Sequence, residues 1–278
     1  MSAVATVSAD DRTLGPMVRP LRLDGGLRQA IPAEARALAD RAVTVPSLEL
    51  PEGSWSPQEV TDDRRPTTGL VLDGVLCHEI VLAGRGTVHL HGPGDLVRPW
   101  GGARTVLPSA SRWRVGEDGA TLAVLDATFA KAQRQWPSLA AAVRQRLADQ
   151  ADELALRIVI ASLPRVEQRL LAMFWQLADR WGVVRPEGVT IALGVSHELL
   201  GRLIGAKRPT VSLALQELAT SGMLTRMDAR EWRLSHESLA TLDGGDGSPM
   251  HSSFALSLVK SRPVAVVSAP TVAVHVTG

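Results

Sequence analysis

Between Ser196 and Ser235 the chain carries helix stop and start signals so closely spaced that two short helices followed by a hairpin satisfy them best. Ser196 supplies a hydroxyl able to accept from the free N–H groups of a helix start, and Glu198 puts negative charge into the first turn. Leu199, Leu200, Leu203 and Ile204 recur at helical spacing before Gly205, which can take the positive φ that ends a helix. Ala206, Lys207 and Arg208 make the turn, and Pro209 falls at a helix start, where its missing N–H costs nothing. Val211, Leu213, Leu215 and Leu218 supply the apolar residues of a second helix that Ser221-Gly222 stops. Lys207, Arg208, Thr210, Ser212 and Gln216 are then left for its opposite face. Two such helices read as a helix-turn-helix. Residues 223–226 and 231–235 read as two short strands joined by Met227, Asp228, Ala229 and Arg230, which makes a wing.

Any two amphipathic helices with a glycine between them share this outline, so the details decide. The segment resembles the Crp/Fnr family of bacterial transcription regulators in three places. The first is Ser196-His-Glu-Leu-Leu200-Gly201, the second Gly205-Ala-Lys-Arg208-Pro-Thr210-Val211-Ser212, and the third Leu218-Ala-Thr-Ser-Gly222-Met223-Leu224, which has one residue more before its glycine than the family pattern. The resemblance runs from about Gly69 to Ser235 and is strongest after Ser196. It implies a homodimeric, sequence-specific regulator whose recognition helices enter successive major grooves of double-stranded DNA, with RNA polymerase and a small-molecule effector as further partners. The implied fold is α+β: an N-terminal antiparallel β-roll of jelly-roll type, a long dimerisation helix and a C-terminal winged helix-turn-helix.

The major groove admits one α-helix and presents distinct donors and acceptors at each base pair. At the helix start Arg208 can offer two parallel N–H donors to guanine O6 and N7. Lys207 suits phosphate, and Ser196, Thr210 and the helix-start amides can hold phosphate oxygens, which fixes register without reading sequence. Ser212 and Gln216 are candidates for base edges, while Arg226, Arg230 and Arg233 on the wing can reach the neighbouring backbone or stay solvated. With His197, the expected DNA-facing set is Ser196, His197, Lys207, Arg208, Thr210, Ser212, Gln216, Arg226 and Arg233. Many members of the resembled family carry Glu after the recognition Arg and a second Arg five residues beyond the first. This chain has Pro209 and Leu213 there, so no base preference carries over.

Upstream, residues 1–26 mix Ser, Ala, Asp, Pro and Gly without a sustained period and read as a mobile N-terminal tail or extended arm. Residues 27–135 read as the β-roll domain: a helix over 27–42 with Pro32 at its start, then strands at 43–50, 68–72, 75–82, 87–91, 111–115 and 121–125. Asp73-Gly74, Gly84-Arg-Gly86 and Asp118-Gly119 have turn chemistry, and a short helix follows over 126–135. Residues 136–163 read as one long helix, because Leu139, Val143, Leu147, Ala151, Leu154, Ile158 and Ala161 advance 22 residues in six steps, the period of a nearly straight helix, and the resemblance implies that it is the dimerisation helix. This apolar stripe has two available partners, the chain's own β domain or, as the resemblance implies, its twin in a second copy. Residues 164–241 read as the DNA-binding domain, with Ser162-Leu163-Pro164 a candidate hinge or simply the start of a new helix. Residues 242–278, rich in Gly, Ser, Pro, Ala and Val, read as a disordered tail in which 264–276 is apolar enough to dock as an added strand.

In cyclic-nucleotide-binding relatives of the resembled family, a Gly-Glu pair holds the ribose and an Arg-Ser/Thr pair holds the phosphate. The preceding turn is present as Gly92-Pro-Gly94-Asp95, but Arg98-Pro99 and Ala110-Ser111 stand where those pairs are expected. Without the arginine the phosphate loses its fixed positive partner, so cyclic AMP is not the expected effector. Arg98, Arg104 and Ser111 remain candidates for a different anion, against a purely structural roll. His89 and His91 share one strand face, yet no nearby Cys or acidic pair completes a metal site, and no cofactor is expected.

The single cysteine, Cys77, excludes an internal disulfide and a cysteine-ligated iron–sulfur cluster. A net charge of +1 leaves DNA binding to local placement, and 196–235 carries six Lys/Arg against four Asp/Glu. No signal-peptide core or membrane-length apolar run is present, so the expectation is a cytoplasmic protein without membrane contact. The absence of a Gly-x-Ser-x-Gly, a metal-protease helix or a P-loop argues against an enzyme. The competing expectation is a small-molecule-sensing or protein-interaction module that has lost specific DNA binding.

Overall fold

A computed structural model describes residues 14–57, 68–100, 105–242 and 273–274. The chain divides into two compact units at Gln150/Ala151, and its fold is α+β, with the antiparallel sheet in the first unit and the winged helix-turn-helix in the second.

The first unit opens with β1 (Met17–Val18), α1 (Pro20–Leu23), α2 (Gly25–Gln29) and α3 (Arg36–Ala42), followed by β2 (Val45–Leu50) and β3 (Gly53–Trp55). After these come β4 (Thr68–Leu82), β5 (Arg85–His91), β6 (Leu96–Val97), β7 (Ala110–Leu125) and α4 (Ala127–Gln135). The sheet runs β1-β2-β7-β4-β5, with β3 paired to β7 and β6 paired to β4, all antiparallel. Asp73-Gly74 and Asp118-Gly119 are not hairpin turns as expected from their chemistry. β4 and β7 each run through them and pair from Thr68↔Leu125 to Val81↔Ala110. The register shifts on either side of Asp73-Gly74, and Val75 alone stands opposite residues 116–119. Such bulges bend and twist a strand pair, which lets one long pair serve both halves of the roll.

Successive side chains of a strand point to opposite faces. Leu122 and Val124 therefore enter one core, with Trp55, Leu76, Val97 and Trp113. Ala123 and Leu125 enter the other, with Leu21, Leu27, Ile31, Phe129 and Leu139. Both faces being covered explains the unbroken apolar run at the end of β7.

Two expectations for the amino-terminal part need correction. Residues 14–26 are packed rather than a mobile arm: Met17 pairs with Pro46, the Gly15 amide donates to the Ser47 carbonyl at 2.8 Å, and Leu21 is fully buried. Burying one such leucine is worth about 1.5–3 kcal/mol, a gain that composition alone does not register. The helix expected over 27–42 is broken into α2, a single 3-10 turn at Ala33–Ala35 and α3, because Pro32 adopts ψ 139° and cannot extend α2.

α5 (Pro137–Ser162) begins where Trp136-Pro137 ends α4. Its apolar stripe is divided. Leu139 and Val143 are buried in the first unit's core, whereas Leu147, Leu154 and Ile158 are exposed.

In the second unit, α6 (Val166–Trp181) leads to β8 (Gly182–Arg185), β9 (Gly188–Ala192) and β10 (Gly194–Val195). Then come α7 (His197–Ile204), α8 (Arg208–Thr220), β11 (Leu224–Arg226), β12 (Glu231–Leu234) and a 3-10 segment, His236–Leu242. The sheet order β11-β12-β9-β8 ties the wing hairpin to a second hairpin. β8 was not among the expected strands, although Val183-Val184 before Pro186-Glu-Gly188 has the required chemistry. Within the expected 242–278 tail, Leu242 ends the 3-10 segment and β13 (Ala273–Val274) pairs in parallel with β10, while residues 243–272 and 275–278 lie outside the described residues. No helix among the described residues is long and apolar enough to cross a membrane.

Candidate nucleic-acid interface

The platform under the interface is α6. Its Leu170, Leu171, Phe174 and Leu177 are buried, and the Phe174 ring lies 4.8 Å from that of Trp232 on β12, centroid to centroid. The Trp232 indole N–H donates to the Leu193 carbonyl at 3.0 Å, which seats the wing against the chain entering α7. α7 starts as expected: the Ser196 hydroxyl accepts from the Leu199 amide at 3.1 Å. It ends at Gly205 with φ 69°, the left-handed conformation that favours glycine. The chain doubles back so tightly that a Cβ on Gly201 would lie 2.5 Å from the Ala206 carbonyl oxygen, a point the sequence does not advertise.

α8 begins with Arg208 and Pro209, and Lys207 is its N-cap residue. Its buried face is Val211, Ala214, Leu215 and Leu218. Leu213, expected on that face, lies outside it and is 58% exposed. Residues 211, 213 and 215 are spaced by two, whereas a helix keeps one face only at steps of three and four. The outward line is instead Pro209, Leu213, Gln216 and Thr220, all exposed.

Four of the expected DNA-facing residues converge beside the start of α8. His197 Nδ1 lies 2.8 Å from the Ser212 hydroxyl, which in turn donates to the Arg208 carbonyl at 3.1 Å. The single Ser212 hydroxyl proton serves one of these two partners, so Nδ1 is the donor whenever that proton is spent on the Arg208 carbonyl. Burial, then the charges of Arg226 and Arg208, hold the His197 pKa below the usual imidazole value. That last pair of causes places two guanidinium groups, one from the wing and one from α8, within electrostatic reach of the same ring. Arg226 is fixed by donating from Nε to the Asp228 carbonyl at 2.9 Å and from a terminal nitrogen to the Ala229 carbonyl at 2.7 Å. It also lies 5.3 Å over the Trp232 ring. Lys207, Thr210 and Gln216 are exposed, and Ser196 and His197 are half-buried.

Arg233 departs from this group. It pairs with Thr225 and Thr190, and as the neighbour of Trp232 it points to the opposite face of the wing sheet from Arg226. Asp228, not singled out in the sequence, shapes the wing tip by accepting from the amides of Arg230 and Glu231 at 2.6 and 2.7 Å. An Asp two or three residues before a second strand is a readable turn signal.

At the other candidate site, Ser111 is bonded to His78 Nε2 at 2.8 Å, and Arg98 is exposed just beyond β6. Arg104 lies outside the described residues. His78 stacks on Trp113 at 4.1 Å between ring centroids, with His91 next to it, and burial lowers the His78 pKa. Sequence reading passed over His78 and Trp113, which become neighbours only through the β4·β7 register. The Gly92–Asp95 turn is held rigidly: the Asp95 carboxylate accepts from the Gly92 amide at 2.8 Å, and Arg146 donates to the Gly94 carbonyl at 3.0 Å. Among the described residues no group of three His, Cys, Asp or Glu side chains is placed to hold a metal ion. Burial pushes the Cys77 thiol up to about 12, leaving it protonated and unreactive.

Residues 168–242 match the family model described as the Crp-like helix-turn-helix domain. Among solved structures, a double variant of CooA from Carboxydothermus hydrogenoformans aligns with a TM-score of 0.53 at 17% identity, covering 78% of this chain and 88% of that one. FixK2 from Bradyrhizobium japonicum gives 0.52 at 18% identity over 72% of this chain and 98% of its own. A CprK variant complexed with OCPA gives 0.51 at 12% identity, over 81% and 93%. At these identities the likeness is one of fold. No curated protein matches the sequence.

Proposed function

Residues 168–242 are a Crp-like helix-turn-helix domain in a chain with the Crp/Fnr regulator fold, and from that premise we propose a homodimeric transcription regulator that binds a near-palindromic DNA site. The observation that carries this reading is the exposed outer face of α8, opened by Arg208 and tied through Ser212 to His197, in a segment that matches the Crp-like helix-turn-helix domain. A local positive field next to a helix of groove-fitting size suits a polyanion, and the nearly neutral remainder of the chain leaves this end as the DNA-facing one. Arg208 reads a guanine, Lys207, Thr210 and the amides at the start of α8 hold phosphate, and Arg226 spans the adjoining backbone.

The exposed half of the α5 stripe, Leu147, Leu154 and Ile158, supports pairing with a second copy. Two recognition helices related by that two-fold would read half-sites one helical turn apart, about 34 Å. We accordingly divide the chain at 27–135, 136–163 and 164–241 into a sensor-like roll, a dimerisation helix and a DNA-binding domain, acting in the cytoplasm on double-stranded DNA. RNA polymerase and an effector other than cyclic AMP complete the proposed partners, with Arg98 and Ser111 at the candidate effector site. The function is recognition, not catalysis.

Selection of duplexes from a random-sequence pool by the full-length protein, followed by gel shift under salt titration, tests the proposal. The expected outcome is an enriched near-palindrome whose affinity falls steeply with salt. Arg208→Ala should lose about 1–3 kcal/mol and relax preference at one base pair. Absence of salt-sensitive duplex binding would overturn the regulator reading in favour of a sensing or protein-interaction module.

A further inference from the structure

Resting on that reading, we infer that Leu213 is a specificity-determining residue that contacts the 5-methyl group of a thymine in each half-site. Leu213 is a large aliphatic side chain left 58% exposed on a helix whose other large aliphatic residues Val211, Leu215 and Leu218 are all buried. It stands in the middle of the outward line, one turn beyond Pro209 and one turn before Gln216. At about 100° per residue these three side chains leave the helix in nearly the same direction, away from the core.

The surroundings specify the occupant. Arg208 and Ser212 flank the outward line on the side of His197 and Arg226, and Thr210 and Glu217 flank it on the other. With Arg208 on one border and an apolar centre, the helix complements a groove that has a phosphate wall on the Arg208 side and a floor carrying one apolar projection. In the major groove that projection is the thymine methyl, and an aliphatic side chain is the group that reads it. Pro209 and Leu213 offer no donor or acceptor from their side chains, so neither can satisfy a guanine or a cytosine edge set opposite it. A non-thymine base pair opposite Leu213 would have its polar edge stripped of water without replacement, which discriminates against it. The expected half-site therefore places a thymine close to the guanine read by Arg208, followed by a pair whose adenine can accept the Gln216 amide.

The test uses the full-length protein and the duplex enriched in the selection described above. Each thymine is replaced in turn by deoxyuridine, which removes only the 5-methyl group. At one position per half-site this substitution should weaken binding about fourfold, the loss associated with one buried methyl group. Leu213→Ala should bind the thymine duplex correspondingly more weakly and lose all distinction between thymine and uracil, while Leu213→Met retains it. Because Leu213 is 58% exposed, both variants should stay close to the melting temperature of the parent. Equal binding of every uracil duplex, a thymine preference that survives in Leu213→Ala, or a selected half-site without thymine would overturn this inference while leaving the regulator reading standing. Failure to bind any duplex would overturn both.

Discussion

Arg146 is the side chain on which the first unit's N-terminal segment, its Gly92–Asp95 turn and α5 meet, and its removal has a calculable cost. Its two terminal nitrogens donate to the Asp24 carboxylate at 2.5 and 3.0 Å, and one of them also reaches the Gly94 carbonyl at 3.0 Å. The Arg146 side chain is 23% exposed and that of Asp24 9%. An exposed ion pair would contribute at most about 1 kcal/mol. Breaking a buried one by deleting a single partner costs about 3–5 kcal/mol, because the other charge is left uncompensated. With a quarter of Arg146 still in water, the lower end applies, so Arg146→Met should destabilise the first unit by about 3 kcal/mol. Asp24 also caps α2 by accepting from the Leu27 amide at 2.9 Å, so Asp24→Leu removes a cap as well as the pair. A double-mutant cycle separates the two effects. Urea unfolding of the parent, both single variants and the double variant should give a coupling of at least about 1.5 kcal/mol, with faster amide exchange over residues 20–27 in Arg146→Met. Additive single effects, or a loss in Arg146→Met below about 0.5 kcal/mol, would refute the reasoning and return residues 14–26 to the status of a loosely held arm.

Two further outcomes follow from the same kind of observation. Ile158 is 73% exposed on α5, so under the proposed pairing through α5 Ile158→Glu should leave the fold intact yet sediment as a monomer and abolish tight binding to a near-palindrome but not to a half-site. His197 has its pKa lowered by burial, then Arg226, then Arg208. The unfolded chain therefore takes up a proton before the folded one does, and this group's contribution to stability is present above about pH 6.5 and is lost as pH falls below it. A phosphate beside the ring reverses the effect of the two arginines, so DNA affinity should rise as pH falls through the same window, a dependence that His197→Gln should remove.

What the sequence decides by itself are features set by neighbours in the chain. Ser196 caps a helix, Gly205 turns left-handed, Pro209 opens the next helix and Ser221-Gly222 closes it, because each acts within a few residues of its own position. The motif-level likeness around Arg208 was legible for the same reason, and with it the Crp-like domain. What only the tertiary structure decides are pairings between distant segments. Asp73-Gly74 and Asp118-Gly119 look like turns until β4 and β7 are laid side by side, when they become bulges in one long ladder. The N-terminal segment looks featureless until Leu21 and Leu27 find a core built by α4, α5 and the sheet. Leu213 looks like one more core leucine until Val211, Ala214 and Leu218 take the inner face and leave it outside. Local signals fix where helices begin and end, whereas which face is buried depends on the surface that arrives to cover it. At the interface this means that Arg208 could be named from the sequence, and its company of His197, Ser212 and Arg226 could not.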